Sequence, residues 1–129
     1  MINYGFTREF DIPYQEVIAQ VMAALKKEGF GVLTEIDIRE KIKEKLGLDM
    51  KKYVILGACN PPNAYKAILA EENIGLMLPC NVIVYEKDNK TVLSIIRPTV
   101  AMQMVDNMEL QKLAEVIEDK LKNVFDDIK

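Results

Sequence analysis

The two cysteines of this chain each stand directly before an asparagine with a proline close by, in Cys59-Asn60-Pro61 and in Pro79-Cys80-Asn81. A thiolate is a nucleophile, a redox partner and a soft-metal ligand, so these are the positions where chemistry could occur. Cys59 closes the apolar run "YVILGAC", and Asn60 followed by Pro61 and Pro62 has the form of a helix start. Asparagine is a favoured cap there, and proline in the first turn loses little by lacking an N–H. The partial positive charge of that terminus favours a thiolate at Cys59. The same two prolines delete backbone donors, which makes the terminus a poor anion site. The plainer reading is that both cysteines are small buried residues, that Asn60 is a cap, and that Asn81 satisfies loop backbone groups.

There is no histidine in the chain. That removes Ser-His-Asp and Cys-His nucleophile activation, imidazole base catalysis and every zinc set that uses imidazole. Met102, Met104 and Met108 lie close together, and thioether with thiolate would select Cu(I). Methionine more often fills irregular core gaps. Arg97, before Pro98, could clamp a carboxylate, although such a residue commonly pairs with a surface acid. Glu71-Glu72 and Asp126-Asp127 are adjacent acids that point apart on a helix, and neither marks a catalytic pair.

At 129 residues and 50% hydrophobic, the chain suits one domain spanning 1–129. Seventeen basic against 20 acidic residues give a net charge of −3 with no basic stripe, which disfavours nucleic acid as a partner. The longest apolar runs fall short of the ~20 residues that cross a bilayer, and "MINYGFTREFDIPYQ" lacks the apolar block of a signal peptide. The expectation is a cytoplasmic protein with no membrane partner, in which both thiols are reduced.

Positioning of these residues falls to an alternation of strands and helices. Ile2 to Phe10 reads as a strand with Tyr4, Phe6, Arg8 and Phe10 on one parity. Pro13 to Glu28 reads as a helix, with Asp11 as candidate cap and Gly29 as the stop. "FGVLTEID" returns as a strand with Phe30, Val32 and Ile36 toward the core. Asp37 and Glu40 form a capping box for a short helix ending at Gly47. "KYVILGAC", apolar on both parities, is a central strand, and Asn60 to Asn73 a helix. "IGLMLP" suggests an extended connector. "NVIVYEKDNKTVLSIIRP" is a hairpin about Asp88-Asn89. A turn or short helix spans Thr99 to Val105, and an amphipathic helix runs from about Asn107. The fold class that follows is α+β: a mainly antiparallel sheet with helices packed on one face, in two layers.

Across "GACNPPNAYKAI", "IGLMLPCNVIVYE" and the later Arg97-Pro98, the chain resembles the family catalogued as domain of unknown function 302. The resemblance implies a small bacterial or archaeal α+β domain, often a dimer, and brings no reaction with it. Its motif positions fall on Gly57, Cys59, Asn60, Pro61, Pro79 and Cys80. Pro62 extends the proline step, and Glu71-Glu72-Asn73 stands where an acidic residue and proline are usual, which leaves that helix end open.

The functional expectation is a small-ligand-binding or structural module that self-associates as a homodimer. Its candidate ligand-binding residues are Gly57, Cys59, Asn60, Pro61, Cys80 and Asn81, with no metal, catalytic set or cofactor named. The alternative is a thiol-redox or soft-metal protein using Cys59 and Cys80. A third idea is that an exposed sheet edge or face recruits a partner protein.

Overall fold

The computed structural model describes residues 2–129. Five strands form one antiparallel sheet: β1 (Gly5–Phe10), β2 (Gly31–Asp37), β3 (Tyr53–Cys59), β4 (Cys80–Lys87) and β5 (Lys90–Ile96), in spatial order β1-β5-β4-β3-β2. The helices are α1 (Tyr14–Lys27), α2 (Ile38–Leu46), α3 (Pro61–Ala70), α4 (Pro98–Ala101) and α5 (Met108–Asp126), with a 3₁₀ segment at Glu72–Met77. This is the α+β architecture the sequence implies.

Register and alternation sort the side chains into two faces. Leu56 pairs with Val82, Val84 with Leu93, and Val82 with Ile95, so these residues project to one side, where all are buried. Helix α1 covers that side because Val17, Val21, Ala24 and Leu25 recur at three- and four-residue spacing; α5 joins it with Ile117, Leu121 and Val124. Each buried aliphatic side chain contributes about 1.5–3 kcal/mol of burial free energy. The opposite face carries Tyr53, Ile55, Ile83 and Tyr85 on the central strands, all of them half-buried.

The helix starts are set by their caps. Asp37 accepts from the Glu40 backbone N–H at 2.9 Å, as the capping box predicts. Asn60 and Asn107 cap α3 and α5 through the backbone N–H groups of Asn63 and Leu110. Each also donates its amide to the end of the preceding long helix: Asn60 to the Glu28 carbonyl at 3.3 Å and Asn107 to the Ala70 carbonyl at 2.8 Å. Asp11 does not cap α1. Pro13 occupies the cap position, and the Asp11 carboxylate, just past the end of β1, instead meets Lys90 Nζ at 2.6 Å at the start of β5.

Four further expectations shift. The first strand begins at Gly5 rather than Ile2. Helix α3 ends at Ala70 because Glu71 turns extended, and the anticipated extended connector is mostly the 3₁₀ segment, anchored by the buried Ile74. Ile36 does not face the core. The β2–β3 register slips between Val32 and Thr34, so Val32 remains opposite Ala58 on the covered face while Ile36 lands opposite Ile55 on the other. The hairpin turn is as anticipated: Asp88 and Asn89 both take positive φ, 50° and 66°, as tight hairpin turns require. Among the described residues no helix is long and apolar enough to cross a membrane.

Candidate functional site

Antiparallel pairing of the two central strands does what the sequence leaves open. Ala58 is the Cα partner of Cys80, so Cys59, the next residue, and Cys80 lie together at one end of the β3–β4 pair. Both border a cavity of about 300 Å³. Its floor is the strand ends, its roof is α3 through Ala64, Ala67 and Ile68, and Phe30, Leu33 and Ile117 close the sides. The wall toward β4 is Leu78-Pro79.

The alanines make the opening. On the inward side of α3 they allow the helix to approach the sheet but leave the space that larger side chains fill beneath α1. No charged side chain lines the cavity. Cys80 is 7% exposed, and burial, with a smaller contribution from neighbouring Cys59, pushes its thiol from 9.0 up to about 11. At neutral pH Cys80 is therefore an uncharged thiol, which suits an apolar wall and opposes nucleophilic use.

Asn60 also lines the cavity, but the fold uses its polar atoms. Its Oδ1 accepts from Asn63 Nδ2 at 3.0 Å as well as from the Asn63 backbone N–H, and its Nδ2 donates to Glu28. Among the described residues no buried side-chain nitrogen or oxygen lacks a partner. Pro61 is the exposed first residue of α3 and does not line the cavity. Gly57 alternates to the other face, where a Cβ would overlap the Thr34 side chain and meet Pro79 Cγ at 2.7 Å; glycine is there to let those groups close. Asn81 is exposed and borders a second cavity, of about 410 Å³, that Pro79 and Cys80 also line.

So Cys59, Asn60 and Cys80 share one cavity, while Gly57, Pro61 and Asn81 stand around it. Sequence reasoning missed Phe30, Leu33, Ala64, Ala67, Ile68, Leu78 and Ile117. Only the Ala64–Ala67 spacing, two small residues on one side of a helix, carried a local signal. Arg97 is committed to the fold: Nε and Nη2 each donate to Glu118 Oε2 at 3.3 Å, and Nη1 donates to the Asn3 carbonyl at 3.0 Å. Met102 is packed in a small core with Ala67, Ile74 and Leu110, whereas Met108 is exposed. Among the described residues no cluster of three or more histidine, cysteine, aspartate or glutamate side chains is placed to hold a metal ion.

The family model described as "Domain of unknown function DUF302" matches residues 6–128. The crystal structure of an uncharacterized conserved DUF302 protein from Bacillus stearothermophilus is similar over 99% of this chain and 100% of its own, at 32% identity and a TM-score of 0.92. No curated protein matches the chain.

Proposed function

We propose that this chain, which belongs to the DUF302 family, is a binding module for a small apolar ligand seated between the cysteine-bearing strand ends and α3. The observation that carries this reading is the cavity itself, about 300 Å³ and without a charged group in its lining. That volume lies at the lower end of ligand pockets, roughly 300–1,000 Å³, and twice the ~150 Å³ that accepts benzene in an engineered apolar cavity. Asn60 already spends its Oδ1 on Asn63 and its Nδ2 on the Glu28 carbonyl, and Cys80 offers only a neutral thiol. The ligand is therefore apolar in the part that enters.

Filling the roof tests this. Native mass spectrometry of the purified protein, and thermal shifts with benzene and naphthalene as probes, should show binding to the native chain that Ala64→Phe abolishes. Equal shifts in both proteins would place the ligand elsewhere, and no shift in the native chain would end the reading.

Self-association is supported by the uncovered sheet face. Tyr53 and Tyr85 stack there at 5.3 Å between ring centroids, beside Ile55 and Ile83, while the core residues of α1 and the C-terminal part of α5 pack on the other side. Thr7, Glu9 and Thr34 form a polar margin about this apolar centre. Five strands at ~4.8 Å spacing and ~3.3 Å per residue present on the order of 500 Å² in projection, within a factor of two of the ~800 Å² each partner gives to a standard interface. The occupant that fits is a second copy of this chain. Sedimentation should show a dimer that Ile83→Glu converts to monomer; a monomeric native chain would dismiss this part.

The thiol-redox or soft-metal alternative at Cys59 and Cys80 has weaker support, because the raised Cys80 pKa holds that sulfur protonated at pH 7.

A further inference from the structure

We infer that the cavity beside Cys59 is half of a longer site, and that one extended aliphatic chain occupies it, bending across the Pro79-Cys80 step into the second cavity; this rests on the ligand-binding reading above. Pro79 and Cys80 line both cavities, so the two adjoin at this residue pair. The second, about 410 Å³, is bordered by Tyr4, Ile96, Ala101, Met77, Met102 and Met104 and, like the first, by no charged side chain.

A compact ligand would need one cavity only. An extended chain that enters both removes more methylene groups from water, at roughly fourfold in affinity for each one buried. The lining suits such a guest. Methionine is unbranched and adapts its shape to what it contacts, and three of them stand along the second cavity. Both mouths keep apolar residues in water: Leu33 is 66% exposed at the first, and Met104 79% and Tyr4 56% at the second. Such surface at a cavity mouth is where a chain enters or leaves. A charged group within either half would lose its hydration with no counter-ion to replace it, so the polar head of the ligand stays in solvent at one mouth.

Straight-chain alcohols test chain length directly. Hexanol, dodecanol and hexadecanol would be titrated against bound aminoanthracene, with stoichiometry read by native mass spectrometry. Affinity should climb with length past hexanol, with one chain per protein. Ala101→Phe should weaken hexadecanol by roughly tenfold or more and hexanol least. Met104→Glu, a change at an exposed position that spares the core, should show the same graded loss if Ala101→Phe fails to fold. Affinity that stops rising at hexanol, with graded loss in neither variant, overturns the two-cavity site and leaves the ligand-binding reading in place. Two long chains per protein overturn it as well. No binding of any alcohol or probe by the native chain removes both.

Discussion

The sheet is filled where α1 covers its strands and open where α3, which packs on α5 and the 3₁₀ segment, stands beside the strand ends. Beneath α1 the inward residues are Val17, Val21 and Leu25, each 0% exposed. Beneath α3 they are Ala64 and Ala67, and the space between them and the strand ends is the cavity. The difference lies in side-chain volume at equivalent helical spacing. Interiors are normally packed to crystal-like density, so an apolar cavity between α3 and the strand ends is a departure from what stability alone would select.

That contrast is sharpened most by truncating the filled side. Leu25→Ala should lose about 3 kcal/mol in urea unfolding, within the 2–5 kcal/mol range for buried leucine. A loss below ~1 kcal/mol would mean that the neighbours under α1 collapse onto the truncated site, and the contrast with the open space beside α3 would lose its energetic basis.

Next in size is the response to alkali. The native chain holds the Cys80 proton up to about 11, whereas the ordinary thiol releases it near 9.0. Above pH 9 the unfolded state has lost a proton that the folded state retains, so stability falls as pH rises from 9 to 11. At about 1.4 kcal/mol per pH unit the fall reaches at most roughly 2.7 kcal/mol. Tyr14, pushed up to about 12 chiefly by burial, adds a similar fall from its ordinary 10.0 upward. The stability gap between native protein and Cys80→Ser should therefore narrow across pH 9–11; a constant gap would show that Cys80 is better hydrated than its burial implies.

A smaller effect is expected at the cap. Asn60→Ala removes the Asn63 contacts and frees the Glu28 carbonyl, for a loss of about 1–2 kcal/mol by thermal or urea melting. A loss of a few tenths would show that water replaces the amide without penalty.

The smallest effect is the most informative about the void. Ala64→Leu should change stability by less than ~1 kcal/mol, in either direction, because it grows into empty space. A loss of 3 kcal/mol or more would mean the space is already closed by neighbouring side chains.

What the sequence made legible was local. The hairpin follows from Asp88-Asn89 between β-branched runs, α5 from its long apolar stripe, and the α3 start from Asn60 with its prolines. The position of the two cysteines as neighbours was not legible, because it depends on the Ala58–Cys80 register between strands twenty residues apart in sequence. Ile36 misled for a related reason: one slipped residue in β2 inverts the parity of everything after it, and no residue near Leu33 announces the slip. The cavity lining drew on five separate segments, and a void has no residue type of its own.

Helix α3, the cavity roof, is tethered at both termini by asparagine amides, Asn60 reaching back to Glu28 and Asn107 reaching back to Ala70. A roof fastened at each end must break one of these bonds, at about 1 kcal/mol each, before it swings open like a flap. The easier openings are rotamer changes at Leu33 and Ile68 and movement of the stretch between Glu71 and Leu78, and amide hydrogen exchange should be faster in that stretch than in α3.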